Sequence, residues 1–175
     1  MNTPIAFDLG DLRRVTPIDL GFGVGRGKPV DRHYIESFLR QHATDADDVP
    51  GDSFDCFICT QTLTYIYDVK GALATIQRIL KPGGVLLVTV PGISQMSPYD
   101  RDRWGEYWRF TAQSLGRLLG DAFGNQNVTV ESYGNVLAST AFLQGLCAGD
   151  LSRNELEHRD QRYQMLIAGR AVKAP

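Results

Sequence analysis

Residues Ser53–Gly92 read SFDCFICTQTLTYIYDVKGALATIQRILKPGGVLLVTVPG. Their order predicts a strand, a loop, a helix, a tight turn and a second strand. Phe54, Cys56, Phe57, Ile58 and Cys59 form an almost unbroken apolar run, which suits a strand covered on both faces, as in a parallel sheet. Asp68 is placed to cap a helix in which Leu73, Ile76 and Leu80 recur at helical spacing, with Ala72 and Ile79 on the same side. Lys81 puts positive charge at the helix end, and Pro82-Gly83-Gly84 stops it. Val85–Val90, VLLVTV, is a second strand with no polar face. Together these elements make a βαβ unit with a right-handed crossover.

Ligands of open α/β sheets bind at the carboxyl ends of the strands. Here those ends are the Thr60–Tyr67 loop and the segment after Pro91. The loop carries Thr60, Gln61, Thr62, Thr64, Tyr65 and Tyr67. It is either the floor of a pocket or a polar, solvated connector.

The same stretch resembles the second half of a class I S-adenosylmethionine-dependent methyltransferase, of the bacterial type 11-like group. Phe54-Asp55 matches the strand that opens toward the cofactor, and Arg78-x-Leu80-Lys81-Pro82-Gly83-Gly84 matches the turn before the next strand. Thr44-Asp45-Ala46-Asp47-Asp48-Val49-Pro50 is similar to the family's adenine-binding segment. The resemblance implies an α/β, Rossmann-like, three-layer methyltransferase fold, its sheet mostly parallel with a final antiparallel strand. It implies S-adenosylmethionine as cofactor and a small-molecule methyl acceptor. It also makes Asp45 and Ala46 the adenine contacts and Thr60, Gln61 and Thr62 the pocket floor, with Tyr65 toward the substrate.

At 175 residues the chain suits one domain rather than two, with an N-terminal arm and helix over 1–43 and the core over 44–175. A net charge of −2 gives no electrostatic reason to expect nucleic acid or an anionic membrane as partner. Asp8, Asp11, Arg13 and Arg14 interrupt any signal-peptide core, and no apolar run reaches spanning length. A cytoplasmic protein is expected. The three cysteines do not make a disulfide framework. Cys56 and Cys59 are three apart on a strand and so point to opposite faces, which argues against both a metal site and a disulfide.

Upstream, Asp19-Leu20-Gly21-Phe22-Gly23-Val24-Gly25 matches the D-x-G-x-G-x-G pattern of a methyltransferase cofactor loop, making Gly21 and Gly23 cofactor contacts. The match lacks its context, because Val15-Thr16-Pro17-Ile18 is a poor strand. Only 28 residues separate Gly25 from Phe54, whereas one βαβ unit needs roughly 30 or more. Helix 31–41 and an acidic loop over 45–52 fill that interval. Gly27–Leu39 is similar to a flank that precedes the glycine loop in some bacterial methyltransferases. On that alternative the first cofactor-binding unit is missing between Ala43 and Thr44, and the sheet is reduced in strand number.

Gly92–Phe110 mixes charged residues with Tyr99, Trp104, Tyr107, Trp108 and Phe110. It reads as a substrate lid presenting Trp104 and Trp108, or as a packed connector. Further on, the pattern predicts a Thr111-capped helix to Phe123, a strand over Asn127–Ser132 and a helix over Val136–Cys147. A polar helix over Ser152–Arg159 and a last strand over Gln164–Val172 complete the chain. His158 reads as a solvated surface residue.

Methyl transfer needs chiefly proximity and alignment. Asp100, Asp102, Glu106 and His33 are candidate general bases, none distinguished by spacing. The rival reading is a non-catalytic, truncated methyltransferase-like protein acting as a binding or partner subunit. Fewer strands leave an edge, which favours a homo-oligomer paired through it.

Overall fold

The computed structural model describes residues 14–42 and 54–175, with side chains from 14–38 and 54–175. The strands are β1 (Phe54–Thr60), β2 (Leu80–Pro91), β3 (Val128–Tyr133) and β4 (Leu166–Val172). They form one sheet in the order β1-β2-β4-β3. β1 and β2 are parallel, and β4 runs antiparallel to both its neighbours. The βαβ unit and the antiparallel final strand are therefore as expected, in a sheet of four strands.

Alternation along the strands builds two cores. Leu86, Val88 and Val90 of β2 face one side with Ile167 and Ala171 of β4. Val85 and Leu87 face the other with Leu166 and Ala168, because successive strand residues point to opposite faces. The first core is covered by α2 (Val69–Ile79) and α4 (Ala112–Phe123). The second is covered by α1 (Val30–His42), α5 (Val136–Leu143) and α6 (Arg153–Glu157). The result is a three-layer α/β/α stack. Cys59 lies in the first core and Cys56 against the second.

Local signals place the helices. The Asp68 side chain accepts from Gly71 N at 2.9 Å and starts α2. Thr111 and Ser114 form a reciprocal capping box on α4. Asn135 caps α5 through Ala138 N and also donates to the carbonyls of Glu155 and His158, tying α6 to it. Lys81 and Pro82-Gly83-Gly84 do not end the helix in a tight turn as the pattern suggested: α2 ends at Ile79, Leu80 turns extended, and residues 80–84 already belong to β2. Lys81 Nζ instead contacts both Asp55 oxygens at 2.9 and 3.0 Å, fastening the starts of β1 and β2.

Several boundaries differ from the sequence pattern. α5 stops at Leu143, because Gly145 turns the chain with φ +72° and Gln144 O accepts from Ile18 N and Asp19 N. α6 is limited to Arg153–Glu157 and buries Leu156. β4 starts at Leu166, since Gln164 instead serves the Gly92 turn with its carbonyl and α4 with its side chain. Segment 98–104 is a further helix, α3 (Pro98–Trp104), whose signal was Ser97 as cap with Pro98 at the first position. The N-terminal arm up to residue 13 and the acidic loop over 45–52 lie outside the described residues.

Packing on the central strand should outweigh local capping. Leu86, fully buried, is expected to lose about 2–5 kcal/mol of stability as Leu86→Ala. Asp68→Ala should lose about 0.5–2 kcal/mol. Urea unfolding of both variants, at unchanged m-value, tests the ranking.

Candidate functional site

A cavity of about 260 Å³ opens at the carboxyl ends of β1 and β2. Pro91 and Leu166 form its base, and Gln61, Thr64 and Tyr65 its wall after β1. Gln61 leaves the strand with φ +54°, a left-handed conformation uncommon for a residue with a side chain. Its amide donates to Thr89 O at 2.8 Å, which fixes the turn against β2. The short 3-10 turn Leu63–Tyr65 then carries Tyr65 into the cavity.

The opposite wall comes from the segment after β2, including Gln95, Ser97, Asp100 and Glu106. One ion pair organises it. The Glu106 side chain is only 4% exposed and pairs with Arg109, while its other oxygen accepts from Ser97 N at 2.9 Å. Arg109 also donates to Gln95 O at 2.7 Å and Trp108 O at 3.1 Å. Thr64 Oγ1 donates to Trp108 O, and Tyr107 N donates to Thr64 O at 2.9 Å, closing the segment onto the first wall. The aromatic segment is thus a pinned wall, with its charged residues as the fasteners.

A third side is supplied by residues far upstream, including Phe22, Val24 and Asp31. Three carboxylates, Asp31, Asp100 and Glu106, therefore border one cavity. Tyr65 Oη lies 3.4 Å from Asp100 Oδ2. Burial first, then Asp100 and Glu106, push the Tyr65 phenol above its ordinary range. Burial likewise raises Asp31, against the opposing Arg32 backbone hydrogen bond.

The structure sorts the expected site residues. Gln61 and Tyr65 line the cavity. Thr60 ends β1, and Thr62 lines a separate groove toward α2. Gly21 and Gly23 sit in a loop packed on the turn after α5, where a Cβ on Gly23 would lie 2.5 Å from Leu146 O. Asp19 accepts from Gly21 N at 2.6 Å and Gly25 N at 3.0 Å. The cavity receives Phe22 and Val24, the residues between those glycines. Trp104 is 66% exposed and Trp108 39%, and neither is among the cavity-lining residues. Trp108 donates to Ile66 O at 3.1 Å and stacks on Tyr67, outside the wall. Asp45 and Ala46 lie outside the described residues.

Of the four candidate bases, Asp100 and Glu106 reach the cavity. Asp102 pairs with Arg101 at the surface, and the His33 ring meets Tyr34 edge-on. Asp31 was not singled out by the sequence pattern, because only the tertiary packing of α1 brings it here. Among the described residues there is no cluster of three or more potential metal ligands. No described helix is long and apolar enough to cross a membrane.

A family model described as a methyltransferase domain matches residues 14–129, more than half of the chain. The chain belongs to this methyltransferase-domain family. Its architecture is the Rossmann-like methyltransferase fold, with four strands among the described residues. Solved structures similar to it include Haemonchus contortus phosphoethanolamine N-methyltransferase 2 in complex with S-adenosyl-L-methionine, at 16% identity and TM-score 0.43, covering 73% of this chain and 35% of that one. An S-adenosylmethionine-dependent methyltransferase from Thermotoga maritima shows 22% identity and TM-score 0.44 over 73% and 60% of the two chains. One from Mesorhizobium loti shows 19% identity and TM-score 0.44 over 74% and 66%. The chain thus spans from about a third to two thirds of the length of these structures. No curated protein sequence matches the chain.

Two expectations follow for the walls. Arg109→Met leaves the Glu106 carboxylate buried without its cation. The cost should be about 2–3 kcal/mol, less than the ~3–5 of a fully buried pair because Arg109 is itself partly exposed. Thermal melts should show the Glu106→Gln/Arg109→Met double variant recovering part of it. For Asp31, a folded pKa above the unfolded value of 3.8 means that stability falls as pH rises through that interval. Asp31→Asn should therefore be more stable than the parent at neutral pH, with the difference vanishing below the unfolded pKa. Chemical denaturation at the two pH values measures it.

Proposed function

We propose that this chain is an S-adenosylmethionine-dependent methyltransferase domain acting on a small-molecule acceptor in the cavity at the carboxyl ends of β1 and β2. One observation carries the reading beyond the family. Gln61, at the crest between those strands, is held in a left-handed backbone and faces the cavity. Backbone strain of this kind costs of order 1–3 kcal/mol and collects at ligand sites.

The donor set fits the cofactor. Asp31, Asp100 and the Tyr65 ring give a cation an anionic and aromatic surround. Gln95 contributes a buried side-chain oxygen with no partner, in a residue of the same wall. When bound, the cofactor supplies a methyl group on a sulfonium, open to in-line attack by an acceptor's lone pair. Gln61 and Tyr65 bind and orient, and the Phe22 and Phe142 side excludes water. Asp100, through Tyr65 Oη, and Asp31 are positioned to take the acceptor's proton. Asp45 and Ala46 address the adenine, while Thr60 and Thr62 support the turn that carries Gln61. Gly21 and Gly23 shape the upstream side through Phe22 and Val24. Trp108 braces the wall from outside, and Trp104 is assigned to the acceptor side. The acidic cavity and a net charge of −2 favour a small acceptor over nucleic acid or membrane, in keeping with a cytoplasmic enzyme.

Cofactor affinity is expected to be weak for this chain alone. The cavity is slightly smaller than the ~300–1,000 Å³ usual for ligand sites, and among the described residues no strand precedes the glycine loop. Two or three missing contacts, at roughly 1–3 kcal/mol each, weaken binding by a few powers of ten. Calorimetric titration with S-adenosylmethionine should show weak saturable binding that Gln61→Ala reduces at least about tenfold. Binding that is undetectable in the parent chain would support a non-catalytic partner subunit instead. Low-micromolar binding unaffected by Gln61→Ala would move the site away from this cavity.

A further inference from the structure

Glu106 is engaged by Arg109, but the two other carboxylates of the cavity are not matched in this way. Asp31 Oδ1 accepts from Arg32 N at 2.8 Å, and Asp100 Oδ2 lies 3.4 Å from Tyr65 Oη. Among the described residues neither carboxylate forms an ion pair, and one oxygen of each has no donor. Gln61 Nε2 lies 3.5 Å from Thr89 Oγ1, which leaves its amide oxygen as a further acceptor. Donors on the same walls are spent within the protein: Thr64 Oγ1 donates to Trp108 O, and Ser94 Oγ to Gln95 O. The one basic side chain lining the cavity, Arg32, belongs to an exposed residue. Acceptors therefore outnumber donors, and carboxylates outnumber cations. An ammonium carries the complementary set, up to three N–H donors and a positive charge. A sulfonium is a cation without a donor hydrogen and satisfies none of these oxygens.

We infer that the methyl acceptor is a small amine with an apolar substituent, bound as its ammonium by Asp31 and Asp100. This rests on the methyltransferase reading above and narrows its acceptor. Phe22 and Phe142, with ring centroids 6.0 Å apart, and the Tyr65 ring give the substituent an apolar side and the charge an aromatic face. Burial already holds Asp31 above its ordinary carboxylate range, and a cation beside it offsets that penalty. An alcohol brings one donor hydrogen and no charge, while a carboxylate or phosphate adds an anion to those already present. For transfer, the bound ammonium sheds one proton to Asp100, which passes it to solvent, and so exposes its lone pair. That lone pair forms the N–C bond as the donor's C–S bond breaks, the electron pair of the broken bond staying on sulfur. The methylated ammonium then carries the charge that the sulfonium had.

Calorimetry on the full chain in the presence of S-adenosylhomocysteine reads the acceptor site without turnover. The probes are n-butylamine and 2-phenylethylamine, each compared with the alcohol and the carboxylate of the same skeleton. Each amine should bind at least about tenfold more tightly than its alcohol, and the carboxylates should not bind. Asp31→Asn and Asp100→Asn, with circular dichroism spectra like the parent's, should each weaken amine binding at least about tenfold and leave the alcohols within about twofold. With S-adenosylmethionine supplied instead, mass spectrometry should find one methyl group added to the amine nitrogen. Equal binding of amine and alcohol, amine affinity unmoved by both Asn variants, displacement of the amine by S-adenosylhomocysteine, or a bound amine left unmethylated would each overturn the assignment. Titration with the cofactor alone separates this inference from the reading beneath it. A chain that binds the cofactor and refuses both amines loses the acceptor assignment only. One that binds amines but no cofactor is an amine site without transfer, and the assignment falls together with the methyltransferase reading.

Discussion

β2 is buried on both faces, and that constraint is the one from which the other layers take their positions. Leu86, Val88 and Val90 require an apolar cover on one side, Val85 and Leu87 on the other. A strand of this kind exists only between two helical layers. α2 and α4 answer one requirement, α1 and α5 the other. Removing water from these side chains, at roughly 25 cal/mol per Å², offsets the cost of ordering the loops at the strand ends. The cavity walls are held in place by the central strand they leave from.

How much of this was legible depended on how local its cause was. The run of Val85–Val90 and the Asp68 cap are short-range signals, and they placed the βαβ unit. The parallel partner of β2 and the opposite facing of Cys56 and Cys59 followed from period alone. The end of α5 was different. Its apolar residues continue past Leu143, yet Gln144 O is claimed by Ile18 and Asp19, more than a hundred positions away. Hydrophobic pattern carries no trace of such a partner.

The candidate site shows the same division. Gln61 and Tyr65 were legible because they follow a strand at its carboxyl end, where ligands of such sheets bind. Asp31 was not, since only the crossing of α1 over β2 and β4 brings it to the cavity. The aromatic segment after Pro91 left a lid and a packed connector open, and its packing is that of a connector. Its indoles are among its exposed residues, while Phe110 and the Glu106 side chain are buried. Glu106 and Arg109 join Ser97, Gln95 and Trp108 in one network, and satisfied buried polar networks make rigid walls.

Asp19 gives the glycine loop a counter-ion of its own. Its carboxylate already engages the amides of Gly21 and Gly25, the kind of backbone donors that in other glycine loops cradle a phosphate. A pyrophosphate brought to this loop would meet a negative charge in place of free N–H groups. The segment whose sequence matches a methyltransferase cofactor loop thus spends two of its backbone donors on the chain's own side chain.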